Sequence, residues 1–170
     1  MLCHAFPDAD IPVVQLSING YKPFSYHLEL GAQLAPLRER GVLIMGSGNV
    51  VHNLGGVDRR HADTGFDWAQ RFDEQAKALM LDDPTAVATL DGHADFDKAV
   101  PTPDHFIPLL YIAGLAGVGA RPAVVLVDGY NYGSLSMTAY TLDQPRAATP
   151  PGPDQPAPLP ATAPPDGANI

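Results

Sequence analysis

Residues 42–53 read Val42-Leu43-Ile44-Met45-Gly46-Ser47-Gly48-Asn49-Val50-Val51-His52-Asn53. Four consecutive apolar residues have the pattern of a short strand buried on both faces. The glycines that follow allow the backbone to turn sharply and to approach a ligand closely. Ligands of α/β sheets sit beyond the carboxyl ends of the strands. The stretch therefore predicts an α/β fold with His52 at its functional edge.

The flanking sequence fits that expectation. Residues 12–18 (Pro-Val-Val-Gln-Leu-Ser-Ile) read as another buried strand. Pro23 is suited to the start of a helix, in which His27, Leu30, Leu34 and Leu37 share one face. Pro36 should bend or shorten that helix, and Gly41 should stop it. Residues 55–65 read as a polar loop. Phe66, Ala69, Phe72, Ala76 and Leu79 recur at helical spacing and predict a helix over 66–81. A short helix is expected over 84–91, an irregular stretch over 92–100, and a helix over 101–117 with the entry signal Thr102-Pro103-Asp104. Residues 123–127 and 134–142 read as the last two strands. Strands interleaved with helices imply a single layered α/β domain, with a mixed central sheet flanked by helices.

Nine of the 18 prolines follow Leu142. Residues 143–170 are rich in Pro and Ala with almost no aliphatic bulk, so they read as a disordered tail behind a folded portion spanning 1–142. The net charge of −9 repels phosphate backbones and argues against nucleic acid as a partner. No apolar run approaches the length of a membrane span. The single cysteine, Cys3, excludes an internal disulfide and a thiolate metal cage, and a cytoplasmic setting fits.

Two of the six histidines stand in informative places. His52 follows strand, glycine turn and two valines; His105 follows Pro101-Thr102-Pro103-Asp104 in a first helical turn. Imidazole is both a metal ligand and a proton shuttle near neutral pH. Neither position forms a metal motif of the HExxH kind, so a capping or packed histidine remains the competing reading of each. The Gly46–Asn49 stretch lacks the Lys-Ser/Thr of a phosphate loop and the Gly-x-Ser-x-Gly form of a nucleophile elbow. A Ser47/His52 dyad would need an acidic third member that the sequence does not assign. Asp95 and Asp97 are expected to keep a loop solvated rather than to bind metal. His61 and His93 are expected to be exposed, and His27 half-buried on its helix.

Four segments in order carry a resemblance: residues 6–18, residues 47–54, Pro101-Thr102-Pro103-Asp104-His105-Phe106-Ile107-Pro108-Leu109-Leu110-Tyr111, and Gly133-Ser134-Leu135-Ser136-Met137. Together they resemble the C-terminal half of the DOPA-dioxygenase-like (LigB-type) class III extradiol dioxygenases. The resemblance implies opening of a catechol-type aromatic such as DOPA with O2 at a non-haem Fe(II) site, with Zn(II) in some members. His105 matches the family's C-terminal metal ligand. His52 matches its active-site histidine, an acid/base that also reaches ligand distance in some zinc forms.

The family's two other ligand histidines belong to its N-terminal half, and nothing here matches them. The chain is therefore expected to be a truncated form lacking that half. A homodimer or the missing half is the expected protein partner, and activity of the chain alone is expected to be weak or absent. The competing expectation is a non-catalytic remnant or accessory chain that binds a partner or a phenolic small molecule.

Overall fold

The computed structural model describes residues 6–119 and 123–142. Residues 6–17 belong to a separate unit from residues 18–142 and are described by themselves. They begin in a turn closed by the bond from the Ala9 N–H to the Phe6 carbonyl and continue as extended, exposed chain. The expected tail over 143–170 lies outside the described residues.

The larger unit is built on two apolar helices. Helix α1 (Phe24–Gln33) starts after Pro23, and a short helix α2 (Ala35–Arg38) follows it. The break falls where Pro36 removes a backbone donor, as the sequence requires. Gly41, at φ +78°, ends the run. Its N–H bonds to the Arg38 carbonyl and that of Val42 to the Leu37 carbonyl, which is a Schellman closure.

Helix α3 spans Asp67–Asp82, a short α4 spans Phe96–Ala99, and α5 spans Ile107–Gly119. Between α3 and α4, Pro84–Gly92 forms the expected short helix, in 3-10 rather than α form. Helices α1 and α5 pack backbone to backbone. A Cβ on Gly31 would meet the Tyr111 main chain, and one on Gly114 would meet the Leu28 carbonyl. The core gathers Phe72, Ala76 and Met80 of α3, Phe106, and Ile107 and Leu110 of α5, together with Val50 and Val51.

The fold is α/β, as the sequence implied, but its strands differ from the expected set. β1 (Val124–Val127) pairs antiparallel with β4 (Ala139–Thr141), and β2 (Tyr130–Asn131) pairs antiparallel with β3 (Leu135–Ser136). The described residues thus form two antiparallel pairs where a mixed central sheet was expected. The expected strand over 134–142 is split at Met137 and Thr138, where the Thr138 N–H turns to the Ser136 hydroxyl and that of Met137 to the Gly129 carbonyl.

Neither of the apolar runs 12–18 and 42–45 enters a ladder. Val14 is 92% and Leu43 68% exposed. A strand holds its place only when a neighbour takes its backbone N–H and C=O groups. Among the described residues no strand pairs with either run; the Val42 N–H is taken by the Leu37 carbonyl at the helix end. Among the same residues, no helix is long and apolar enough to cross a membrane.

Candidate active site

The glycine turn places residues 49–53 between two parts of the chain. On one side, the Asn49 N–H bonds to the His105 carbonyl and the His52 N–H to the Ala99 carbonyl. On the other, the Ser136 N–H donates to the Val51 carbonyl and the Asn53 N–H to the Ser134 carbonyl. The Asn49 side-chain amide donates to the Ser136 carbonyl at 2.7 Å, and the Ser134 hydroxyl to the Asn53 carbonyl, also at 2.7 Å. Gly48 makes the approach to His105 feasible, because a Cβ there would run into the His105 carbonyl oxygen. Val50 and Val51 anchor the segment in the core, leaving His52 half-buried at its edge.

His105 arrives from the opposite side. It ends the 3-10 turn Pro103–His105, immediately ahead of α5, rather than lying inside the helix as expected. Pro108 has no N–H to donate, so it belongs in a helix's first turn and sets the start at Ile107. The Thr102 hydroxyl does not cap the turn; it hydrogen-bonds the Asp104 carboxylate.

The two histidines meet ring to ring. Their centroids are 3.5 Å apart and the planes 10° from parallel. A ring nitrogen binds a metal along its in-plane lone pair, at about 2.1 Å. Rings stacked in this way would not turn their nitrogens to one ion together, so one ring would suit a metal and the other proton transfer.

Burial, and secondarily the charge of His105, hold the His52 pKa below its usual 6.5, while Asp104 pulls it back. A neutral His52 can accept a proton near neutral pH. The Asp104 carboxylate lies 3.6 Å from His105 Nε2. The Thr102 hydrogen bond holds Asp104 below the ordinary carboxylate range, against some desolvation.

Behind His52 lies a feature that the sequence reading missed. Asp73, in the middle of α3, is completely buried. It accepts hydrogen bonds from the Ser136 hydroxyl, from Thr138 Oγ1 at 2.8 Å and from the Tyr130 hydroxyl at 3.2 Å. Lys77 Nζ lies 3.9 Å away and pairs with Asp128 at 2.6 Å. Burial pushes the Asp73 carboxyl up, and the hydroxyl donors and Lys77 pull it back. The available signal was an Asp placed on the apolar stripe of a helix, where a charge is retained only if it is satisfied.

The other sequence candidates take structural places. Asp95 is buried rather than solvated and accepts two 3.0 Å bonds from Arg71; Asp97 and Ser47 are exposed. His27 is fully rather than half-buried, with Nδ1 3.1 Å from the Tyr111 hydroxyl. His61 and His93 are half-buried against Phe66 and Phe72 instead of exposed. Among the described residues, no three His, Cys, Asp or Glu side chains are grouped to hold a metal. A cleft of about 120 Å³ lies beside the pair, lined by Gly46, Gly48, Asn49, His105 and Tyr140. A larger cavity of about 450 Å³ between Pro36 and Val118 lies away from both histidines.

Residues 2–142 match the family described as the catalytic LigB subunit of aromatic ring-opening dioxygenase, and the chain belongs to that family. It is 43% identical over 141 residues to a 4,5-DOPA dioxygenase extradiol of Escherichia coli (strain K12), covering 81% of this chain and 52% of the relative. A 4,5-DOPA dioxygenase extradiol of Beta vulgaris is 35% identical over 137 residues, covering 79% of this chain and 50% of its own length. The crystal structure of an uncharacterized Escherichia coli K12 protein superposes with a TM-score of 0.72 at 41% identity, over 81% of this chain and 57% of that one. The chain spans about half the length of the curated relatives it matches.

Proposed function

We propose that this chain supplies the metal-ligand histidine and the proton-transfer histidine of an extradiol dioxygenase that opens a catechol-type ring, such as that of DOPA, with O2. The observation that carries the reading is the parallel stacking of His52 on His105 at 3.5 Å. It favours divided roles over shared ligation. His105 fits a single-donor role, because its ring is 40% exposed and its carbonyl is held by the Asn49 N–H. The remaining donors come from polypeptide outside the described residues. Iron(II) is the proposed metal, with zinc(II) the alternative; it would provide open positions that gather the catechol oxygens and O2. A cytoplasmic setting belongs to the same proposal and is supported by the single cysteine.

His52, kept neutral by burial, takes the proton of a substrate hydroxyl through a free ring nitrogen. The imidazolium so formed is stabilised by Asp104, whose charge favours the protonated ring. His52 then returns that proton to an oxygen of the product side. Asn49, its amide committed to the Ser136 carbonyl, keeps this edge of the cleft fixed.

A chimera tests the reading: residues 2–142 replace the matching portion of the Escherichia coli relative. Oxygen uptake and ring-opened product are then followed with DOPA and with simple catechol. Turnover is expected, with His105→Ala abolishing it and His52→Gln lowering it by about 10²–10⁴-fold. A folded, metal-loaded chimera that consumes no oxygen with either substrate overturns the proposal. The chain by itself, given Fe(II), is expected to consume oxygen only at the rate of free iron.

A further inference from the structure

We propose that Asp73 is a positioning residue for His52, acting through Ser136. Its bearing on chemistry rests on the role proposed above for His52; the placement itself does not.

The connection runs through named bonds. Ser136 touches the His52 segment twice through its backbone: its N–H donates to the Val51 carbonyl, and its own carbonyl accepts from the Asn49 amide. Its neighbour Leu135 forms an antiparallel bridge with His52 itself. The Ser136 side chain points the other way, into the core, and donates to Asp73. One residue therefore joins a buried carboxylate on α3 to the backbone that carries the histidine.

A carboxylate is suited to this position because β3 is short. It consists of Leu135 and Ser136 alone, and the ladder with β2 holds only the pairs Tyr130 with Ser136 and Asn131 with Leu135. A slip of one residue in such a strand reverses which side chains face inward, and two ladder pairs resist it weakly. Asp73 accepts from Ser136 and Thr138, residues of the same parity, on one carboxylate. In a slipped register Leu135 and Met137 would face a buried anion and leave it without these donors, which is costly. The carboxylate thus selects the register in which Leu135 bridges to His52 and Ser136 faces the core. Its remaining acceptor capacity goes to Tyr130, and Lys77 offsets its charge. The group is satisfied without reaching the metal side of the site.

The test uses the whole chain with isotope-labelled histidine. The ring signals of His52 and His105 are read by NMR at one fixed pH, where their stacking displaces each other's ring protons. Ser136→Ala and Asp73→Asn are expected to remove most of that displacement and to broaden the His52 signals. Tyr130→Phe removes a different donor from the same carboxylate and should leave the signals in place. So should Met80→Ala, a core truncation on the same helix that lowers stability without touching this link.

Unmoved ring signals in folded Ser136→Ala overturn the proposal, and so does an equal disturbance by Met80→Ala. If Asp73→Asn does not fold, Ser136→Ala decides alone. An inactive chimera with the ring signals behaving as described would remove the proposed reaction and leave the positioning role standing.

Discussion

Helix α5 and the run 42–45 are both unbroken apolar sequence, and they end in opposite environments. Leu110 and Ala113 are 0% exposed and Leu115 is 1% exposed, whereas Leu43 is 68% and Met45 50% exposed. A helix satisfies its backbone polar groups within itself and needs only a face to pack on, which α1 offers at Gly31 and which Gly114 of α5 lets approach the Leu28 carbonyl. A strand must find its hydrogen-bond partners in another segment. Apolar sequence thus reports what a segment can bury; whether it does so depends, for a strand, on a neighbour.

The largest test of that contrast is Leu110→Ala. Truncation of this fully buried α5 core residue should lower stability by about 2–5 kcal/mol in urea or thermal unfolding. A loss below about 1 kcal/mol would mean that the buried side of α5 is not the mainstay of the unit.

Gly48→Ala tests the junction between the two regions. The added methyl meets the His105 carbonyl, so a loss of about 1–3 kcal/mol is expected, together with loss of the His52 and His105 stacking signals. Normal stability with intact stacking would show that the close approach is not required.

A smaller effect should appear with pH. Burial lowers the His27 pKa below its ordinary 6.5. The unfolded chain then binds more protons than the folded one as pH falls below 6.5, so His27 makes stability decline from there down to its folded pKa. Chemical denaturation at pH 7 and pH 5 should show this slope, and His27→Gln should flatten it. An unchanged slope in that variant would place the pH response elsewhere.

At the small end, Leu43→Ser should leave unfolding free energy within about 0.5 kcal/mol of the parent and reduce self-association in sedimentation. A loss comparable to that of Leu110→Ala would show that 42–45 is buried after all.

The same contrast explains how much was legible in the sequence. The helices were readable because their signals are local: Pro23 and Gly41 bound the first helical stretch, and Phe66 to Leu79 carry a helical period. The positions of His52 and His105 relative to a glycine turn and to a helix start were also readable. Their meeting was not, because it depends on Gly48 passing the His105 carbonyl, a contact between residues far apart in the chain. Asp73 was missed for the same reason. Its meaning comes from Ser136 and Thr138, more than sixty residues away along the chain, and an isolated Asp on a helix carries no sign of them. Strands 12–18 and 42–45 were inferred from composition, which does not encode the partner that completes a ladder.

The claim that His105 holds the metal while His52 moves the proton is tested most directly by metal content. The Escherichia coli chimera and its two histidine variants are loaded anaerobically with Fe(II) and freed of excess, and iron is counted per chain. Divided roles predict about one iron per chain in the parent and in His52→Gln, with turnover lowered in that variant, and background iron with no turnover in His105→Ala. Loss of iron in His52→Gln equal to that in His105→Ala would make both rings ligands and would contradict the account.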